Sequence, residues 1–308
     1  MEYTIYKFKF RSGVHFGENS LENSTYSFHA DTLFSALCHE AVKHGKEALE
    51  KLVEYIKSGK LLLSDAFPYI EDTYYIPKPM KQIQMSEDKK GDSKLKKMYK
   101  KLRYIPLKDL DGYLKGAGIT DEAGRLDELG KTEMRVMASI RGEKEAVPYR
   151  TETYFFNQGN GLYVIVGYED NEAGEYLEKL LCSLETDGIG GKRTAGLGRF
   201  EIHKHKLPDE LLKHINQKGR MYMTLSVSLP KDDELEQAVN NAQYKLIKRS
   251  GFVASDKYAD EYMRKRDLYV FDSGACFVNK FEGDIYDVSC GGKHAVYRYA
   301  KALWLGVD

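Results

Sequence analysis

The chain has 308 residues, 42% of them apolar and 31% charged, a globular profile that excludes collagen-like and disordered classes and predicts two domains or one domain with a large insertion. Its 47 Lys and Arg balance 47 Asp and Glu, so no global field draws it onto a polyanion and any nucleic-acid site must be a local patch. Cys38, Cys182, Cys276 and Cys290 are too scattered for a zinc site or a secreted disulfide framework, the start alternates where a signal peptide would be continuously apolar, and no run approaches a membrane span; a cytoplasmic protein with reduced thiols, no metal and no cofactor is the expectation.

Residues 3–10 alternate, with Tyr3, Ile5, Lys7 and Lys9 set against Tyr6, Phe8 and Phe10, which predicts a strand with both faces at least partly covered. A loop containing Gly13, His15 and Gly17 follows. Next comes a helix, capped by Asp31 or Thr32, whose apolar stripe is Leu33, Phe34, Leu37, Cys38 and Ala41. A second helix spans 49–56 and ends at Ser58-Gly59, and short strands are expected at 61–63 and 74–76. From 78 to 108 lysine is dense and apolar residues stand singly, which reads as an insertion outside the core, a solvated arm or one that touches RNA or a neighbouring protein.

Order returns at 147–156 and 161–167, where Asn157-Gln158-Gly159-Asn160 between two β-rich runs predicts a hairpin. Residues 172–184 form an amphipathic helix that buries Tyr176, Leu177, Leu180, Leu181 and Leu184. A glycine-rich stretch then leads into a strand at 199–207. A shorter pass follows: strand 222–229, helix 232–241, and strands 244–253, 267–272, 275–281 and 295–304. The fold class expected is α+β, two RRM-like (ferredoxin-like) modules. Residues 1–215 form the first module, with the lysine-rich insertion around 78–130, and 216–308 the second.

Residues 187–200 hold five glycines in fourteen positions, with Lys192, Arg193 and Arg199 among or beside them. Glycine lets backbone N–H groups approach phosphate oxygens closely, and the cations add charge-assisted bonds. A P-loop is excluded, because Thr186 stands where its first glycine belongs and Arg193 follows Lys192. A dinucleotide loop is excluded because Arg193 replaces the third glycine and the loop runs from helix to strand. A kinase glycine loop fails on the same spacing. Binding to an RNA backbone is the reading that remains beside a flexible packing turn.

The run GIGGKRTAGLGRFEI at 188–202, the segment FHADTLFSAL at 28–37, and the tail pieces FDSG at 271–274, GDIYDV at 283–288 and HAVYRY at 294–299 together resemble the RAMP superfamily of CRISPR proteins. Within it they are similar to the fourth-subunit family of type III-A (Csm) effector complexes. That resemblance implies a non-catalytic RNA-binding subunit of an antiviral interference complex. It would cap the 5′ handle of crRNA and join the large polymerase-like subunit to the backbone RAMP subunits. The lysine-rich stretch carries no motif of the family.

The RNA-binding candidates are Gly188, Gly190, Gly191, Lys192, Arg193, Thr194, Gly196 and Gly198 in the loop, with His15, His29, Arg141, Arg150, Lys248 and Arg249 elsewhere. The rival reading is a RAMP-type endoribonuclease that processes precursor crRNA, with His15, His29 or His294 as general acid or base. A metal-dependent cut through Asp31 is the other enzymatic option, but a helix-cap role accounts for Asp31 without chemistry. Tyr154, Phe155 and Phe156 alternate and can offer at most one face to bases; core packing is preferred.

Overall fold

Strand β1 (Glu2–Phe10) buries Thr4, Ile5, Tyr6 and Phe8 and half-buries Tyr3 and Lys7, so both of its faces are covered, as its alternation predicts. The computed structural model describes residues 1–18, 20–83, 102–117, 119, 121–139, 147–255 and 257–308. Within these, β1 lies between β10 (Asn160–Tyr168) and β11 (Phe200–Lys206), antiparallel to both, with Ile5 opposite Ile165 on one side and His205 on the other. β10 in turn pairs antiparallel with β4 (Leu61–Leu63) and β5 (Phe67–Ile70). The sheet continues through β6 (Thr73–Pro77) to β7 (Tyr104–Pro106).

Among the described residues, three helices form the layer beside this sheet, with a short one after β7. α1 (Ala30–Lys43) follows β1 and buries Leu33, Phe34, Leu37 and Ala41, and α2 (Lys46–Lys57) packs on it. α3 (Leu110–Leu114) is a single short turn after β7. α4 (Asn171–Asp187) joins β10 to β11 and packs on α1 and β11. The Asp170 carboxylate caps its start by accepting from Ala173 N–H at 2.8 Å, and Leu177, Leu180, Leu181 and Leu184 are buried on one face.

Two ribbons stand beside the sheet: β2 (Phe16–Glu18) with β3 (Ser20–Thr25), and β8 (Gly130–Ser139) with β9 (Val147–Phe156). After α5 (Asp209–Asn216), β12 (Tyr222–Thr224) is flanked by β15 (Cys276–Phe277) and β18 (Trp304–Gly306). α6 (Leu235–Val239) precedes the pair β13 (Leu246–Arg249) and β14 (Leu268–Phe271), and β16 (Gly283–Asp287) pairs with β17 (Tyr297–Lys301). One apolar core runs through both halves of the chain, from Ile5, Leu33 and Phe34 to Leu225, Val227 and Leu303. Tyr299 fastens the halves by donating its hydroxyl to Leu63 O at 3.1 Å and accepting from Leu63 N–H at 2.9 Å. Among the described residues no helix is long and apolar enough to cross a membrane.

Several expectations need correction. The turn at 157–160 forms, with Asn160 N–H on Asn157 O at 3.1 Å, but it is not a hairpin: β9 pairs with β8 and β10 pairs with β1. The notion of a wholly non-core insertion after 78 also fails, since Tyr104 and Ile105 are buried and β7 extends the main sheet. The interior of the lysine-rich stretch, 84–101, lies outside the described residues. α1 is capped by His29 with no side-chain bond from Asp31 or Thr32 to its own backbone, because Asp31 is engaged elsewhere. The strands expected at 222–229, 244–253 and 275–281 and the helix expected at 232–241 are shorter in the fold, where loops between isolated bridges take over.

Candidate nucleic-acid interface

The glycine-rich segment begins where α4 stops, at Gly188, whose φ of 78° turns the chain out of the helix. Its backbone is tied at several points. Ile189 N–H donates to Gly198 O at 3.0 Å, Gly198 N–H to Gly13 O at 2.9 Å and Gly191 N–H to His15 O at 2.8 Å. The side chains of Ile189 and Leu197 are buried beneath it. Glycine is required at Gly190, where φ is 98° and a Cβ would sit 2.9 Å from the His15 carbonyl oxygen. The segment is therefore a built loop pressed against residues 13–17. Thr194 and Gly196 stand on its outer turn, Thr194 exposed.

Lys192 is the strained point. Its φ of 58° lies in the left-handed region although it carries a side chain, which costs about 1–2 kcal/mol. Its Nζ donates to the Tyr149 hydroxyl of β9 at 3.0 Å and lies 4.3 Å from the centre of that ring. Arg193 reaches Asp187 only at 4.0 Å, because Lys43 already holds that carboxylate at 2.6 Å.

The loop forms one wall of a cleft. Two adjoining hollows of about 1090 and 590 Å³ share His15, Gly17, His29, Thr32, Arg103 and Arg249. The larger is lined by Lys78, Arg103, Lys245, Lys248, Arg249 and Arg264 against Asp272 as its carboxylate; the smaller adds Lys192, Arg193, Lys265 and Arg298 against Asp31. A neutral protein thus gathers its cations locally, as its composition demands of any polyanion site.

The floor of the cleft is held by buried ion pairs. Asp31 accepts from Arg249 Nε at 2.9 Å and Nη2 at 2.8 Å, and from Arg298 Nη1 at 2.5 Å. Burial alone would push this carboxyl up, but Arg249 and then Arg298 hold it well below the usual carboxylate range. Asp65 is also buried; it accepts from His29 Nδ1 at 2.6 Å, Ala30 N–H at 2.8 Å and Val227 N–H at 3.0 Å. Burial raises its pKa and these partners, His29 first, bring it below the ordinary value.

The structure gathers some sequence candidates and separates others. His15, His29, Lys248 and Arg249 line the cleft with the glycine loop. His15 is buried with Nδ1 2.8 Å from Glu152 O. Arg249 is committed to Asp31, and Lys248 pairs with Asp267 at 2.7 Å. Arg150 is exposed on β9, opposite Val136, and Arg141 lies outside the described residues. His294 lines neither hollow; its Nε2 is 2.9 Å from Ser255 Oγ. Tyr154 is buried and Phe156 packs on Phe10 with ring centres 4.9 Å apart.

Sequence reasoning missed Arg103, His39, Lys265 and Arg298. For His39 a signal existed: Asp31, Ser35 and His39 recur at four-residue steps, one polar face of α1 turned toward the cleft. Arg103 was hidden at the end of the lysine-rich stretch. Among the described residues, the group that offers cation-ligating atoms is His29, Asp65 and Asp272, whose atoms lie within 4.8 Å of one another. Asp272 Oδ1 there is buried without a hydrogen-bond partner, but Asp65 already carries three donors and Arg249 and Arg103 bring positive charge to the same carboxylates.

Comparisons with known proteins place this geometry. The family model described as the CRISPR Csm4 C-terminal domain matches residues 217–307. A protein of Mycobacterium tuberculosis named CRISPR system Cms protein Csm4 is 40% identical over all of this chain and 98% of its own length. A Streptococcus thermophilus protein of the same name is 35% identical, with both chains covered in full. Among solved structures, a chain of the Csm3–Csm4 subcomplex in the type III-A CRISPR-Cas interference complex matches with a TM-score of 0.67 at 21% identity over the whole of both chains. A chain of the Csm1–Csm4 cassette with AMPPNP matches with a TM-score of 0.65 at 20% identity, over 99% of this chain and 98% of the other. These structural likenesses are of fold.

Proposed function

We propose, from the premise that this chain belongs to the Csm4 family of type III-A CRISPR complexes, that it is a non-catalytic subunit that grips the 5′ handle of crRNA in the cleft walled by the glycine-rich loop. The observation that carries the reading is the cleft itself: ten lysines and arginines line its two hollows against Asp31 and Asp272, in a chain of zero net charge. Such a patch suits a phosphodiester strand, whose binding rests on neutralised phosphates and released counterions. The strand order β11–β1–β10–β5, with α1 after β1 and α4 before β11, supports an RRM-like reading of the first module. The solved Csm3–Csm4 and Csm1–Csm4 assemblies support a bridging place between a large polymerase-like subunit and the backbone RAMP subunits of a cytoplasmic antiviral complex.

The test is affinity for a 5′-handle RNA as salt is varied. Lys192→Ala with Arg193→Ala weakens binding and flattens the log–log salt slope by about 0.7 for each phosphate that is no longer neutralised. Unchanged affinity and slope refute the reading, and cleavage of that RNA by the purified chain would return the endoribonuclease alternative.

A further inference from the structure

The smaller hollow is lined along one side by Ser35 and His39 of α1, along another by Gly190, Gly191, Lys192 and Arg193, and across from them by Lys265 and Arg298. Among the described residues neither the His39 ring nor the Lys265 ammonium has a hydrogen-bond or ion-pair partner. The nearby carboxylates each hold another partner, Glu40 through one oxygen only, its Oε1 being buried without a hydrogen bond. Asp31 is opposed by Arg249 and Arg298, Glu40 accepts from Lys43 at 2.8 Å and Ser183 Oγ at 2.5 Å, and Asp187 is closer to Lys43 than to Arg193. Groups of like charge held together with counter-charges that are distant or shared cost free energy that an anion would recover.

We propose that His39, Arg193 and Lys265 form a phosphate subsite beside the glycine-rich loop, which takes one phosphodiester of an RNA strand lying in the cleft. This rests on the RNA-binding reading above and assigns it three side chains. Burial, then Arg193 and Lys265, lower the His39 pKa, with Glu40 and Lys43 of its own helix contributing smaller opposed effects. Burial, then Arg298, lower that of Lys265, while Asp31 and Cys38 oppose. A bound phosphate reverses the largest electrostatic cause at His39, so its pKa rises on binding and the complex takes up a proton. Affinity accordingly grows as pH falls through the bound and then the free value.

Two measurements on the full-length chain decide it. The first follows the His39 ring protons by NMR through a pH titration with and without inorganic pyrophosphate. The second measures affinity for a handle RNA from about pH 8 down past the free His39 midpoint, a span over which a one-unit rise at His39 gives about tenfold tighter binding. His39→Gln abolishes that pH dependence, and Lys265→Gln weakens binding where Lys265→Arg restores it. If RNA binds but pyrophosphate leaves the His39 midpoint in place and His39→Gln keeps the pH slope, the subsite is overturned and the RNA reading stands. If pyrophosphate moves the midpoint but no RNA binds at any pH, the phosphate subsite stands and the RNA reading falls.

Discussion

At Asp31, two guanidinium groups meet one buried carboxylate; about two turns further along α1, at His39, Arg193 and Lys265 face carboxylates that are already occupied. The first cluster joins the N-terminal helix to β13 and β17, and both of its guanidinium groups hold the same internal carboxylate. The second has cations of the same kind, and its only ion pair among the described residues is the 4.0 Å contact of Arg193 with Asp187. An arginine in a cleft is thus defined by what already holds it. Arg249, for all its place beside a glycine and another cation, is held by Asp31, whereas Arg193 has only a 4.0 Å contact with Asp187.

The sharpest way to break this contrast is at Asp31. Asp31→Ala leaves Arg249 and Arg298 buried without their partner and lowers stability by about 3–5 kcal/mol, read from the denaturant midpoint. The same group sets an acid limit. Its folded pKa lies below its unfolded value, so its contribution is complete above the ordinary carboxylate range and is lost as pH falls toward the folded value. A wild-type midpoint that drops more steeply in acid than that of Asp31→Ala, in which Asp65 still titrates, is the expected pair of curves.

A smaller and opposite effect is expected in the loop. Lys192→Gly relieves the left-handed strain at φ 58° and raises stability by less than about 1 kcal/mol, glycine's unfolded-state entropy taking back part of the gain. It weakens RNA binding at the same time. A variant that loses both stability and affinity would place Lys192 with the structural cations. The smallest effect is at Lys248, half-exposed and paired with exposed Asp267. Lys248→Ala leaves the unfolding midpoint where it is and changes the RNA salt slope less than Lys192→Ala does.

The core elements up to residue 206 were legible because their signals are local. The alternation of β1, the leucine stripe of α4 and the glycines after Asp187 each report on backbone periodicity within about ten residues. The loop's cations were legible for the same reason, being neighbours of those glycines. The hairpin at 157–160 misled because a turn signal specifies the reversal of the chain and not the strand that will pair. Strand partners are chosen by packing across the whole sheet.

By itself, then, the sequence determined the helices and strands that frame the cleft, the backbone freedom of the loop and the family to which the pattern is similar. Only the tertiary structure decided which cations are spent. Arg249 and Arg298 find Asp31 across 218 and 267 residues of chain, and no periodicity spans such a distance. His39, marked only by the polar step along α1, and Lys265, silent in the pattern, share the smaller hollow with Arg193 because α1, the glycine loop and the segment before β14 converge on it. Coulomb energy depends on separation in space and on burial, and both are properties of the folded chain.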